Sequence, residues 1–133
     1  MTDNTATKCE YILLENGIHQ FILLEGSLAG ADAFLSQLEQ IYQTRDENSA
    51  PLLVLSDSSN ASLPISYSMQ RSKELRDKYP NIGSIYTATL TSRIVEARLA
   101  DSMMRLMRFK NTRMRFFDSA RRDQAIEWLL QQE

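Results

Sequence analysis

Apolar and polar positions fall in alternating blocks along the chain. Tyr11–Leu14 is a short apolar run, Glu15-Asn16-Gly17 interrupts it, and Ile18–Leu24 resumes it. Asn-Gly between two apolar runs predicts a hairpin, because both residues tolerate the positive φ of a tight turn. The chain should therefore open with an antiparallel pair. Gly26-Ser27-Leu28-Ala29-Gly30 ends the second strand. Phe34, Leu38, Ile41 and Tyr42 then recur with the spacing of one helix face. A polar loop, 44–50, leads to Pro51 and the run Leu52-Leu53-Val54-Leu55, apolar at consecutive positions. A strand buried on both faces has this pattern, and such strands belong to parallel sheets covered by helices.

The same alternation continues to the C-terminus. Pro64 suits the first turn of a helix, which should run to about Lys78 and stop before Pro80. Its inner face is Ile65, Ser68, Met69, Ser72 and Leu75, small enough to pack closely on a sheet. Ile82–Leu90 alternates and is rich in Ile, Tyr and Thr, the composition of a strand. Ser92–Phe109 has the period of a long helix, and Thr112–Phe117 that of a last strand. That strand should run straight into an amphipathic helix, Ser119–Gln131, with Ala125, Ile126, Trp128 and Leu129 apolar. The order β-β-α-β-α-β-α-β-α predicts an α/β fold. Its sheet is mixed and mostly parallel, with about five strands, an antiparallel hairpin at its start and about four covering helices. Residues 1–8 are polar and predict a loose tail, and 9–133 form a single domain.

The ending Met114-Arg115-Phe116-Phe117-Asp118, followed by Ala125-Ile126-Glu127-Trp128-Leu129, resembles the ending of STAS-like, SpoIIAA-like proteins. The opening hairpin, the strand Leu-Leu-Val-Leu-Ser-Asp and the long penultimate helix sit in the matching order. The resemblance covers about Tyr11 to Leu130. It implies the fold of anti-sigma-factor antagonists and a non-enzymatic role in protein contacts. In that group an Asp-Ser-Ser-Gly segment after a central strand carries the serine that a partner kinase phosphorylates. Here the corresponding residues are Asp57-Ser58-Ser59-Asn60. Asn60 replaces the glycine, and Ala61-Ser62-Leu63 separates the segment from Pro64. The resemblance thus makes Ser58 and Ser59 the candidates for a phospho-switch. Related folds also include lipid-carrying domains, which implies an alternative role in binding a small anionic or lipid-like ligand.

Charge adds a polarity that the hydrophobic pattern does not show. The net charge is −2, but residues 1–62 hold nine acidic and two basic side chains. Residues 93–122 hold nine arginines and lysines against Glu96, Asp101 and Asp118. Sequence halves that interleave in an α/β fold would partly cancel this asymmetry in space. Cys9 is the only cysteine, so no internal disulfide forms. The first ten residues lack the basic start and apolar run of a secretory signal, and no apolar stretch is long enough to span a membrane. The expected setting is cytoplasmic.

Candidate chemistry is sparse. His19 is the only histidine, and it lies in the second predicted strand, far from Cys9 in the hairpin register. A Ser-His-Asp or Cys-His arrangement would have to use it. Neither metal-ligand spacing nor a phosphate-binding glycine loop occurs, so no metal and no cofactor are expected. Asp57 and Asp118 could pair as carboxylates, although helix capping explains both. The strand-end residues are the better site candidates, because α/β sheets bind ligands outside the carboxyl ends of parallel strands. They are Asp57, Ser58, Ser59 and Asn60, then Thr91, Ser92 and Arg93, then Asp118.

The long helix offers a second candidate. Its apolar residues cover an arc of about 200° at 100° per residue, well beyond what one sheet face requires. The surplus contains Met103, Met104 and Met107, and methionine suits surfaces that meet variable partners. Arg98, Asp101, Arg105 and Arg108 line the other side. These residues mark an interface for a protein partner or a second copy. Nucleic acid is not expected, because no aromatics interleave with the arginines.

Overall fold

The structure is a computed structural model that describes residues 8–61, 64–107, 109 and 111–132, without the side chains at 94, 96 and 104. The predicted tail at positions 1–7 lies outside this set. Five strands form one sheet: β1 (Cys9–Leu13), β2 (His19–Leu23), β3 (Leu52–Asp57), β4 (Ile85–Thr91) and β5 (Thr112–Asp118). Four helices alternate with them: α1 (Leu28–Tyr42), α2 (Ile65–Lys78), α3 (Ile94–Met107) and α4 (Arg122–Leu130). β1 pairs antiparallel with β2, and every later pairing is parallel. The mixed α/β architecture is therefore as the hydrophobic pattern predicts.

The hairpin turn uses its glycine and spares its asparagine. Gly17 has φ +86, whereas Asn16 keeps a negative φ. Gly17 N–H donates to Leu14 O (3.0 Å), and Leu14 N–H donates to Ile18 O (2.9 Å). This is a three-residue loop with one left-handed position, where the sequence predicted two. Asn16 contributes through its side chain, accepting from Ile18 N–H at 3.2 Å. Lys8, grouped by sequence with the tail, is bonded to the chain just beyond β2. Its carbonyl accepts from Leu24 N–H, and its ammonium meets Glu25 at 3.1 Å.

The strands lie in the sheet in the order β1-β2-β3-β4-β5, the order of the chain itself. Right-handed crossovers that all step the same way put their helices on one face. Accordingly α1, α2 and α3 lie side by side on one face, while α4 packs on β3, β4 and β5 from the other. β3 shows why its pattern was continuous. Leu52 and Val54 join the core under α1, and Leu53 and Leu55 join the core under α4. Each such side chain contributes about 2 kcal/mol on burial.

Local capping differs from the pattern-based boundaries in two places. α1 starts at Leu28, because the Ser27 hydroxyl accepts from Gly30 N–H at 3.1 Å. The glycine-containing segment therefore includes the first turn of the helix as well as a strand break. β5 does not run straight into α4. A single 3-10 turn, Ser119–Arg121, intervenes, capped by Asp118 through a 2.9 Å bond from Ala120 N–H. Beyond it Leu129 is fully buried, and Trp128 meets Tyr86 edge-on with centroids 6.3 Å apart. One arginine braces the opposite end of the sheet. Arg76 on α2 is only 2% exposed. It donates to Tyr79 O (2.7 Å), Gly83 O (2.8 Å) and Thr112 Oγ1 (3.0 Å).

Candidate functional site

At the carboxyl ends of the parallel strands, α2 and α3 lie side by side over the sheet. Most residues lining the space beneath them are short. Ser68 and Ser72 come from α2, Ala97 and Ala100 from α3, and Ser56, Thr89 and Thr91 from β3 and β4. Small side chains permit the helix to pack closely on the sheet, and here they leave a cavity of about 100 Å³, bounded at its apolar end by Phe34, Met69, Met114 and Phe116. Side chains this small cannot reach across from both helices, so the space stays unfilled. Its Ser68 Oγ is buried and has no hydrogen-bond partner among the described residues.

The strand-end candidates divide around this cavity. Ser58 and Thr91 line it, and the Ser58 N–H donates to the carbonyl of Leu90, the residue before Thr91, at 2.9 Å. Asp57 alternates onto the α4 face with Leu53 and Leu55, and its Oδ1 accepts from Ser59 N–H at 2.9 Å. Asn60, Ser92 and Arg93 are exposed beside the opening. The Arg93 N–H donates to Thr91 Oγ1 at 3.0 Å, so that hydroxyl serves the start of α3. Asp118 is taken up by its cap. Neither Asp57 nor Asp118 lines the cavity, and each serves as a local backbone acceptor.

The outer face of α3 is the second site. Val95, Leu99 and Leu106 are 77%, 53% and 82% exposed, and at helical spacing they fall within an arc of about 40°. Ala97 and Ala100 occupy the opposite, buried side. Met103 and Met107 are half-buried on one flank. Arg98 and Arg105 are exposed on the other, where Arg105 pairs with Asp101 at 3.0 Å. The Met104 side chain and Arg108 lie outside the described residues. The apolar surplus is therefore carried outward by valine and leucine. The sequence pattern contained these three residues in its wide arc but could not say which edge faced water.

The titratable side chains have other engagements. Burial, and then the charge of Glu10, push the Cys9 thiol up to about 11, so it is protonated at neutral pH. His19 is half-buried on β2. Its Nδ1 meets the Tyr11 hydroxyl at 2.7 Å, and the two rings stack. Burial, and then the positive charge of Arg45, lower its pKa below the ordinary 6.5. Among the described residues no group of three or more His, Cys, Asp or Glu is placed to hold a metal ion. No described helix is long and apolar enough to cross a membrane. In comparisons with known proteins, no family model, curated protein or solved structure matches the chain.

Proposed function

We propose that this chain is a non-catalytic, regulatory interaction module that docks an acidic partner protein through the outward face of α3. The observation that carries this reading is the row Val95, Leu99 and Leu106, held in water on the side of α3 away from the sheet. Exposed apolar rows flanked by charge are typical of docking surfaces. Arg98 and Arg105 border the row, which favours a partner with acidic groups around an apolar centre. A symmetric pairing of two copies through this face would bring like charges together, so a different protein is the better fit. A non-catalytic role is supported by the engagements of His19, Cys9, Asp57 and Asp118 in local structure. A divergent STAS-like identity belongs to the same proposal, supported by element order and by the strand–helix ending. A cytoplasmic setting suits its single buried cysteine.

The test compares variants for the partner they retain. Leu99→Glu and Leu106→Glu on a folded background should each weaken capture of a single partner by about tenfold or more. Arg98→Glu with Arg105→Glu should weaken it further and remove its salt sensitivity. Equal capture by all variants would refute the proposal. So would sedimentation showing that the face pairs only with a second copy of the chain.

A further inference from the structure

The cavity beneath α3 is separate from the helix's outer face, and its chemistry is unusually uniform. Its thirteen lining residues among those described include no ionisable side chain. Six of them are Ser or Thr: Ser56, Ser58, Ser68, Ser72, Thr89 and Thr91. The rest are apolar. We infer that this cavity is a binding site for a small neutral molecule with an apolar ring or short chain and one hydroxyl or carbonyl oxygen.

Three features argue for that class. The first is position. The cavity sits over the carboxyl ends of β3 and β4, where open α/β sheets bind ligands. The second is the unmatched polar group. Burying a hydroxyl without a partner costs about 1–3 kcal/mol, and Ser68 Oγ is in that condition. Its Oγ is shut off from solvent as it stands, so a ligand oxygen would supply the missing partner once the Ser68 side chain turns toward the cavity it lines. The third is charge. Among the described lining residues there is no cation, so a carboxylate or phosphate inside the cavity would lose hydration that hydroxyls alone do not replace. This favours a neutral ligand over the anionic one that the sequence left open. Size excludes a whole lipid. A dry cavity of about 150 Å³ holds a benzene ring. At about 100 Å³ and open on one side, this cavity takes a ring or a short tail. Of the strand-end candidates, Ser58 and Thr91 line this space, and Asp57 and Asp118 do not.

The experiment titrates the full chain with phenol, benzoate and toluene, read by two-dimensional amide NMR. Phenol should bind saturably in the millimolar range, with shifts centred on Ser68, Thr89, Thr91 and Ala100. Benzoate, of similar size but charged, should bind at least about tenfold more weakly. Ser68→Ala and Thr89→Val should weaken phenol while leaving toluene unchanged. Ser72→Leu, which fills the space from a half-exposed helix position, should abolish all binding while the amide spectrum stays dispersed. The inference is overturned if phenol gives no saturable shifts, or if benzoate binds as tightly. It also fails if folded Ser72→Leu binds phenol as the wild type does. None of these outcomes touches the outer face of α3, so this site and the docking proposal stand or fall separately.

Discussion

His19 shows how one residue couples the hairpin to pH. Its ring packs on Tyr11 of the neighbouring strand, and its Nδ1 shares a 2.7 Å hydrogen bond with the tyrosine hydroxyl. Burial first, and Arg45 second, make the charged form less favourable in the fold than in the open chain. A base with a lowered folded pKa stabilises the fold while it stays neutral. That contribution is complete above the ordinary 6.5 and is lost as pH falls through the folded pKa. Urea unfolding between pH 7.5 and 5 should therefore show wild type losing stability faster than His19→Gln. Parallel curves for the two proteins would remove His19 as the source. Cys9, four register positions away and held as a thiol, takes no part in this titration.

Elements show where sequence patterns succeed and where they stop. The alternation of apolar blocks located all five strands and four helices, because burial of one face or two is written directly into residue type. Helix and strand ends were less legible. Ser27 and Asp118 set them through single side-chain bonds that periodicity does not record. Gly30 illustrates the difference. In the sequence it reads as a strand breaker, but it lies in the first turn of α1. A Cβ there would come within 2.0 Å of the Glu25 carbonyl oxygen. Alanine normally gains about 1 kcal/mol over glycine in a helix. A collision with backbone costs more, about 1–3 kcal/mol and upward. Gly30→Ala should lower the melting temperature by about 5 °C, measured by circular dichroism; an increase would show that the segment shifts freely. The cavity was legible only in its ingredients. Ser68, Ser72, Ala97 and Ala100 were visible as small residues, but two small faces meeting produce a void only when the backbone fixes their separation.

On the scale of the whole molecule, the order of strands decides what the charge pattern means. Interleaved halves would have blended the acidic and basic segments. With strands arranged β1 to β5 in chain order, they stay apart. Glu10 and Glu15 are exposed at the β1 side, and Arg113 and Arg115 are exposed on the edge strand β5. Arg98 and Arg105 on α3, which packs on β5, extend the basic side. The protein is thus an electrical dipole despite a net charge of −2. At neutral pH and salt below about 50 mM it should bind a cation exchanger as well as an anion exchanger. Arg113→Glu with Arg115→Glu should release it from the first and tighten it on the second. Unaltered elution on both columns would mean that the basic edge is not a coherent patch. The same sequential order bears on how the molecule is made. Every strand pairs with the one synthesised just before it, so none must be inserted between two that are already joined. The sheet can grow by accretion as the chain leaves the ribosome, each crossover helix covering the newest seam. The first 57 residues already hold three adjacent strands and the first helix.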